Sequence, residues 1–216
     1  MFLDRAEAGR RLGAALAGAP PVDPPARPLV LGIPRGGVIV AAEVADALGA
    51  PLDVVVTRKI GAPGNPELAV GAIAPGVQVW DASLLERLGV DPRYLREAVE
   101  AEEVEIARRT AAYRGTRPPP ALAGRTVVIV DDGLATGATA LAAVRWARAA
   151  SADRVIVAAP VAAAQTVEVL GREADEVHVI EIPASFRAVG EWYRDFRQTT
   201  DDEVVAALGR TPEGGP

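Results

Sequence analysis

The sequence lacks the residues on which several kinds of protein chemistry depend. Its 216 residues contain no cysteine, which excludes disulfide scaffolds, thiol nucleophiles and cysteine-ligated zinc or iron–sulfur sites. His178 is the only histidine, so histidine-rich metal sites and the HExxH motif of zinc peptidases are excluded as well. No uncharged apolar stretch reaches the roughly 18 residues of a membrane-spanning helix. The net charge of −6 argues against a generally basic nucleic-acid-binding protein.

Lysine is also nearly absent from the chain. Of the 23 lysine and arginine residues, 22 are arginine, and the exception is Lys59. Residues 1–7 are charged and helical in pattern, unlike a secretory signal, so we expect a cytoplasmic protein with no membrane partner and no nucleic-acid partner. Half of the residues are apolar, which suffices for the core of one domain with an appendage.

The sequence does contain an alternation of short apolar runs with helical patterns. The runs are rich in β-branched residues, and their alternation with helices is typical of a parallel sheet that is covered on both faces. We therefore predict an α/β fold of three layers (α/β/α) with a mainly parallel central sheet of about five strands. The strands are predicted at 29–33, 52–57, 126–130, 154–160 and 177–182, and the intervening helices at 38–48, 139–150 and 161–170.

Other segments surround this predicted core. A capping box formed by Thr200 and Glu203 predicts a C-terminal helix that ends near Leu208. We predict a core of residues 1–182, with a helical insertion at about 80–120, followed by a C-terminal subdomain of residues 183–216. The remaining predictions are a helix at 4–17, short strands at 68–73 and 77–80, a long charged helix at 92–114, proline-rich linkers at 19–28 and 115–124, and a frayed tail at 211–216.

The most specific functional signal follows the strand predicted at 126–130. Asp131 and Asp132 place two adjacent carboxylates at the carboxyl end of a buried strand, where ligands bind in open α/β sheets. The next loop offers glycines, hydroxyls and the N–H groups of a helix N-terminus, which together favour an anion. Acids beside such a cradle suit a sugar diol, whose hydroxyls donate hydrogen bonds to both carboxylates. The loop consists of Gly133, Leu134, Ala135, Thr136, Gly137, Ala138 and Thr139.

Residues 127–139 resemble the phosphoribosyl pyrophosphate (PRPP) motif of type I phosphoribosyltransferases, in which an apolar strand, two acids and a Thr-Gly-x-Thr loop follow one another. The resemblance implies a transferase that moves the ribose 5-phosphate of Mg-PRPP to a nitrogenous, nucleobase-like acceptor and releases pyrophosphate. It implies that Asp131 and Asp132 hold the ribose hydroxyls and that the loop ending at Thr139 holds the 5′-phosphate. Mg²⁺ would arrive with PRPP, without a dedicated protein site beyond water-mediated contacts to the two acids.

Two further segments receive roles from the same resemblance. Residues 57–67 correspond to the strand end and mobile loop that close over PRPP, and Arg58 and Lys59 would act as catalytic residues beside the leaving pyrophosphate. The single lysine supports this interpretation, because a compact ammonium suits a pyrophosphate; a chance position is the alternative. The predicted pyrophosphate loop follows the first strand, where the family commonly has a non-proline cis peptide near the arginine, and consists of Pro34, Arg35, Gly36 and Gly37.

The acceptor and the assembly are less constrained. Phe186, Trp192 and Tyr193 lie in the part that the resemblance makes the hood, where they either stack on a planar base or fix the hood to the core. Ala135 stands where the 6-oxopurine enzymes of the family have an acid, which disfavours a 6-oxopurine acceptor. A regulatory protein that senses PRPP or a nucleotide on the same fold stays open as the alternative. The 80–120 insertion is either a lid or an oligomer contact, with a homodimer as the assembly considered.

Overall fold

Helices and strands alternate along most of the chain, and the computed structural model describes residues 1–18 and 28–209. The strands are β1 (Leu29–Gly32), β2 (Leu52–Val54), β3 (Arg58–Ala62), β4 (Asn65–Ala74), β5 (Val77–Trp80), β6 (Thr126–Val130), β7 (Arg154–Val161) and β8 (Glu176–Glu181). The helices are α1 (Arg5–Ala17), α2 (Gly36–Leu48), α3 (Ala82–Leu88), α4 (Pro92–Arg114), α5 (Ala138–Ala149), α6 (Ala164–Leu170) and α7 (Asp201–Gly209), and a 3-10 turn spans Val189–Trp192.

The central sheet has the strand order β2-β1-β6-β7-β8, and every neighbouring pair is parallel. This confirms the predicted α/β fold with a mainly parallel five-stranded sheet. Successive residues of a strand point to opposite faces, so Val128 and Val130 pack with α2 and α7, whereas Val127 and Ile129 pack with α5. Both faces of β6 are therefore buried, and its carboxyl end meets those of its neighbours at one edge.

A second, antiparallel sheet has the strand order β3-β4-β5. Residues 57–67 are predicted as a strand end and a mobile loop, and most of this segment forms a hairpin of β3 and β4 around a tight turn at Gly64. Its glycines and prolines are typical of loops, but pairing with the following strand overrides that preference: Lys59 pairs with Ala72, and Ile60 with Gly71. Most of residues 57–67 therefore belong to a paired β-hairpin.

The predicted helical insertion at about 80–120 includes two helices, α3 and α4, and α4 packs against β3 and β4. Helix α4 has the predicted bounds, and Asp91 caps it by accepting a hydrogen bond from Arg93 N at 2.7 Å. The short helix α3 was not predicted. Tyr94 Oη donates to Gly61 O at 2.9 Å, so α4 also holds the hairpin.

Several predicted boundaries move by a few residues. Strand β2 ends at Val54, whereas the apolar run continues to Val56, and α6 begins at Ala164 because Val161 completes β7. The predicted linker at 19–28 lies, except for its last residue, outside the described residues, as does the predicted frayed tail. Within residues 1–18 and 28–209, no helix combines the length and the apolar character needed to cross a membrane.

The C-terminal segment packs against both the N-terminus and the core. Phe2 N donates to Trp192 O at 2.7 Å, and Arg194 N donates to Phe2 O at 2.9 Å. Helix α7 buries Val204 and Leu208 in the cluster that lies between α2 and the sheet. The predicted capping box is present, since Glu203 N donates to Thr200 Oγ1 at 3.2 Å and Thr200 N donates to the Glu203 carboxylate at 2.9 Å.

This capping box gives a first testable expectation. Thr200→Ala removes the hydroxyl that accepts from Glu203 N, so the free energy of unfolding should fall by about 1 kcal/mol. For a chain of this size, that corresponds to a loss of roughly 2–4 °C in Tm, measured by circular dichroism. Thr116→Ala, in an exposed turn, is the matched control and should leave Tm unchanged. Equal effects of the two substitutions would contradict the capping role.

Candidate active site

The two acids at the end of β6 touch the loop that follows β1. A methyl group on Gly37 would come within 3.0 Å of Asp131 Oδ1, and one on Gly36 would overlap Asp132 Oδ2. Glycine is therefore required at both positions by close approach. Asp131 Oδ1 also accepts a hydrogen bond from Asp132 N at 2.9 Å. The structure thus brings the predicted diol-binding acids and the predicted pyrophosphate loop together.

The pyrophosphate loop contains the cis peptide that the resemblance implies, between Pro34 and Arg35. The Arg35 guanidinium points toward the start of α7, where Arg35 Nη1 lies 3.7 Å from Asp201 Oδ1. The same carboxylate oxygen accepts a hydrogen bond from Tyr113 Oη at 2.7 Å. Asp201 therefore connects the loop to α4 and α7.

The acid pair resists carrying two negative charges. Burial raises the pKa of Asp131 well above its usual range, and the neighbouring charge of Asp132 raises it further. Burial also raises the pKa of Asp132, against the opposing effect of Arg5. Lys59 is near enough to oppose the rise in the pKa of Asp131. The free site therefore favours a cation or hydrogen-bond donors beside the acids.

Arg5 is a functional candidate that the sequence did not reveal. Its Nε donates to Asp132 Oδ2 at 2.7 Å, although the two residues are 127 positions apart. Tyr193 Oη approaches from the C-terminal segment and donates to Asp132 O at 2.6 Å. One arginine among 22 carries no local signal for such a contact. The environment of Asp132 is consequently built from three distant parts of the chain.

Lys59 lies at a cavity between the second sheet and the loop after the acids. The cavity has a volume of about 560 Å³, and its lining includes Lys59, Trp80, Thr136 and Gly137. Lys59 lies in the hairpin of β3 and β4. It lines the same cavity as the predicted phosphate loop. The structure thus combines the single lysine, the acids and this loop in one region.

Arg58 does not join Lys59 there, contrary to the prediction that both lie beside the leaving pyrophosphate. Neighbouring residues of a strand point to opposite faces, and the Arg58 side chain contacts α4. Arg58 Nε donates to Glu102 Oε2 at 2.5 Å, and this bond raises the pKa of Arg58. Through this contact, Arg58 links the hairpin to α4.

The loop at 133–139 ends in a helix N-terminus that presents backbone donors. Gly137 has φ +73° and is the N-cap of α5, so the first turn of the helix begins without a capping side chain. The N–H groups of such a turn attract anions. Thr166 Oγ1 donates to Ala135 O and fixes the middle of the loop.

The aromatic residues of the C-terminal segment pack mainly with one another and with the N-terminus. Tyr193 is only 6% exposed, and its ring centroid lies 5.4 Å from that of Phe2 and 5.1 Å from that of Phe196. This packing favours the alternative that Tyr193 fixes the C-terminal segment to the core, and its acceptor role stays a prediction. Phe186 and Trp192 pack against the same cluster but remain partly exposed.

The parallel sheet, the paired acids and the two loops at its carboxyl edge have the arrangement of a type I phosphoribosyltransferase. A family model described as "Phosphoribosyl transferase domain" matches residues 23–197, and the chain belongs to this family. Among its relatives is the Mycobacterium tuberculosis protein named "Putative phosphoribosyl transferase Rv0571c", which is 48% identical over 215 residues. The match covers 97% of this chain and 47% of that protein, so the chain spans about half the length of the curated relatives it matches.

Two solved structures place the fold in the same group. The crystal structure of TT1426 from Thermus thermophilus is 44% identical, with a TM-score of 0.79, and the match covers 97% of this chain and 98% of that one. The structure of AQ2163 from Aquifex aeolicus is 14% identical, with a TM-score of 0.52, and covers 86% of this chain and 76% of that one. The second similarity concerns the fold alone.

Proposed function

We propose that this protein is a phosphoribosyltransferase that transfers the ribose 5-phosphate of Mg-PRPP to a nitrogenous, nucleobase-like acceptor and releases pyrophosphate. The observation that carries the proposal is the contact of Asp131 and Asp132 with Gly36 and Gly37. It joins a diol-binding pair to a loop whose backbone can approach a polyanion closely.

The acids act on the ribose. Asp131 and Asp132 accept hydrogen bonds from its 2′- and 3′-hydroxyls and favour the positive charge that develops on the ring. The acceptor nitrogen forms a bond to C1 as the bond between C1 and the pyrophosphate oxygen breaks, and the electron pair leaves with pyrophosphate. Burial raises the pKa of Asp131, so a positive charge on the ribose ring stabilises the ionised form of this carboxylate.

The remaining groups bind the two phosphate ends. The first turn of α5 and the hydroxyls of Thr136 and Thr139 hold the 5′-phosphate. Lys59, on β3, and Arg35, at the start of α2, both bind the leaving pyrophosphate. To do so, the Arg35 side chain turns away from Asp201, with which it forms an ion pair of 3.7 Å.

The acid pair also fits the magnesium ion that accompanies PRPP. Carboxylate oxygens are hard ligands, and Mg²⁺ retains several waters when it binds to one or two carboxylates and a substrate phosphate. Asp131 and Asp132 would hold the ion through such waters. When bound, Mg²⁺ neutralises charge on the pyrophosphate.

Residues 183–209 form the hood in this proposal. A methyl group on Gly133 would overlap the Val189 side chain, so the 3-10 turn lies directly against the loop that follows the acids. Phe186 and Trp192 are partly exposed aromatic residues of this segment. We place the acceptor between the acids and this part of the hood.

Release of pyrophosphate tests the proposed function directly. The protein is incubated with PRPP, Mg²⁺ and one base at a time from a panel of purines and pyrimidines, while a coupled assay records pyrophosphate and calorimetry records PRPP binding. We expect release that requires both PRPP and a particular base. Tight PRPP binding without release for any base would refute the transferase and favour a PRPP-sensing regulatory protein.

A further inference from the structure

The N-terminal turn of α1 is fixed beside the acid pair. Asp4 caps the helix by accepting from Glu7 N at 2.8 Å, so the next residue, Arg5, begins the first turn. Three positions before Arg5, Phe2 is buried and is held by backbone hydrogen bonds to Trp192 and Arg194. Arg5 therefore starts from a backbone that is anchored on both sides.

The guanidinium of Arg5 is held by three different contacts. Its Nε donates to Asp132 Oδ2 at 2.7 Å, and its Nη1 donates to Arg197 O at 2.8 Å. The group also lies 4.0 Å from the ring centroid of Phe196. The side chains of Arg5 and Asp132 are only 12% and 16% exposed. A planar guanidinium that is held at several points has one orientation, which in turn fixes the orientation of the Asp132 carboxylate.

Asp132 is consequently restrained at both its side chain and its backbone. Arg5 holds Oδ2, and the hydroxyl of Tyr193 holds the backbone carbonyl at 2.6 Å. A carboxylate offers about four lone-pair sites on its two oxygens, so Asp132 can accept a hydroxyl while it stays bonded to Arg5.

We propose that Arg5 is a positioning residue for the transfer reaction, which holds Asp132 in the orientation that a ribose hydroxyl requires. This inference rests on the proposed function. Arg5 acts through Asp132 and needs no contact with the substrate. Its role differs from that of Lys59, whose charge is directed into the cavity.

The test compares the wild-type protein with Arg5→Gln, Arg5→Lys and the control Arg10→Gln. Arg10 lies on the same helix, and its side chain is 58% exposed. For each variant, calorimetry gives the Kd for Mg-PRPP, the pyrophosphate assay gives kcat and KM, and circular dichroism gives Tm. We expect Arg5→Gln to raise Kd and KM by roughly tenfold to a hundredfold, as losses of a positioning partner do. Arg10→Gln should match the wild type.

Rescue by the conservative variant separates positioning from a merely structural role. Arg5→Lys keeps a positive charge without the fork of donors, so it should give a Kd for Mg-PRPP between those of Arg5→Gln and the wild type. A merely structural role would lower Tm without producing this order of Kd values.

The outcomes distinguish this inference from the proposed function. A wild-type protein that does not bind Mg-PRPP overturns both. Wild-type binding that Arg5→Gln leaves unchanged overturns the role of Arg5 alone. If Arg5→Gln does not fold, Arg5→Lys carries the test, and a Kd equal to that of the wild type then overturns the positioning role.

Discussion

Asp131→Asn, alone or with Asp132→Asn, should abolish the use of PRPP while the protein stays folded. An amide keeps the shape of the carboxyl group and can still accept the hydrogen bond from Asp132 N. It removes the negative charge that favours an electron-poor ribose, and loss of one preorganised electrostatic partner costs about 10²–10³-fold in rate. Pyrophosphate release and PRPP binding measure the two effects separately. Wild-type activity in the double variant would refute the role of the acids.

The same substitution should make the free protein more stable. Burial and the charge of Asp132 both raise the pKa of Asp131 in the folded state, so ionisation of Asp131 opposes folding at neutral pH. We expect Asp131→Asn to raise the free energy of unfolding by about 1 kcal/mol, as stabilising substitutions at functional sites do. Asp132→Asn should lower it by about 1–3 kcal/mol, because it leaves the largely buried Arg5 without its charged partner.

The stability gain of Asp131→Asn should depend on pH in one direction. Below the pKa of the unfolded chain, near 4, Asp131 is protonated in both states and makes no difference to stability. As the pH rises, the unfolded chain ionises first, and the wild type loses stability that the variant keeps. The Tm difference should therefore be small near pH 4 and should grow toward pH 8. A difference that stays constant over this range would contradict the raised pKa.

The parts of the site that could be predicted are those encoded in one short stretch of sequence. The acids at 131 and 132 follow a buried strand and precede a glycine-containing loop, and these local patterns specify both the strand end and the helix start. Helix α4 was equally predictable, because Asp91 and Gly115 mark its ends. The central sheet followed from the alternation of apolar runs, which requires no knowledge of long-range contacts.

The parts that could not be predicted depend on contacts between distant segments. The hairpin at 58–74 forms in spite of its glycines and prolines, because pairing supplies its hydrogen bonds. The opposite directions of Arg58 and Lys59 follow only once β3 is known to be a strand. The contact of Tyr193 with Phe2 could not be foreseen either, because Phe2 lies at the other end of the chain. Burial of this kind is a property of the folded chain rather than of any segment.

Lys59→Ala should lower kcat far more than it weakens PRPP binding. The Lys59 side chain is exposed on the hairpin and directed toward the cavity, so its removal should leave Tm unchanged. Negative charge builds on the pyrophosphate as its bond to C1 breaks, and a cation at this place gains most in the transition state. We expect kcat to fall by about 10²-fold and the Kd for Mg-PRPP to rise by no more than about threefold, which is below 1 kcal/mol.

The variants that accompany Lys59→Ala separate charge, shape and position. Lys59→Arg keeps the charge and should retain part of kcat, whereas Arg145→Ala removes a positive charge from the outer part of α5 and should leave both constants unchanged. Arg58→Ala breaks the ion pair with Glu102 and should affect Tm more than Lys59→Ala does, because Arg58 holds the hairpin on α4. A weaker affinity for PRPP with an unchanged kcat for Lys59→Ala would mean that Lys59 binds the ground state and the transition state alike. Since uniform binding does not accelerate the chemical step, that result would remove Lys59 from the catalytic residues.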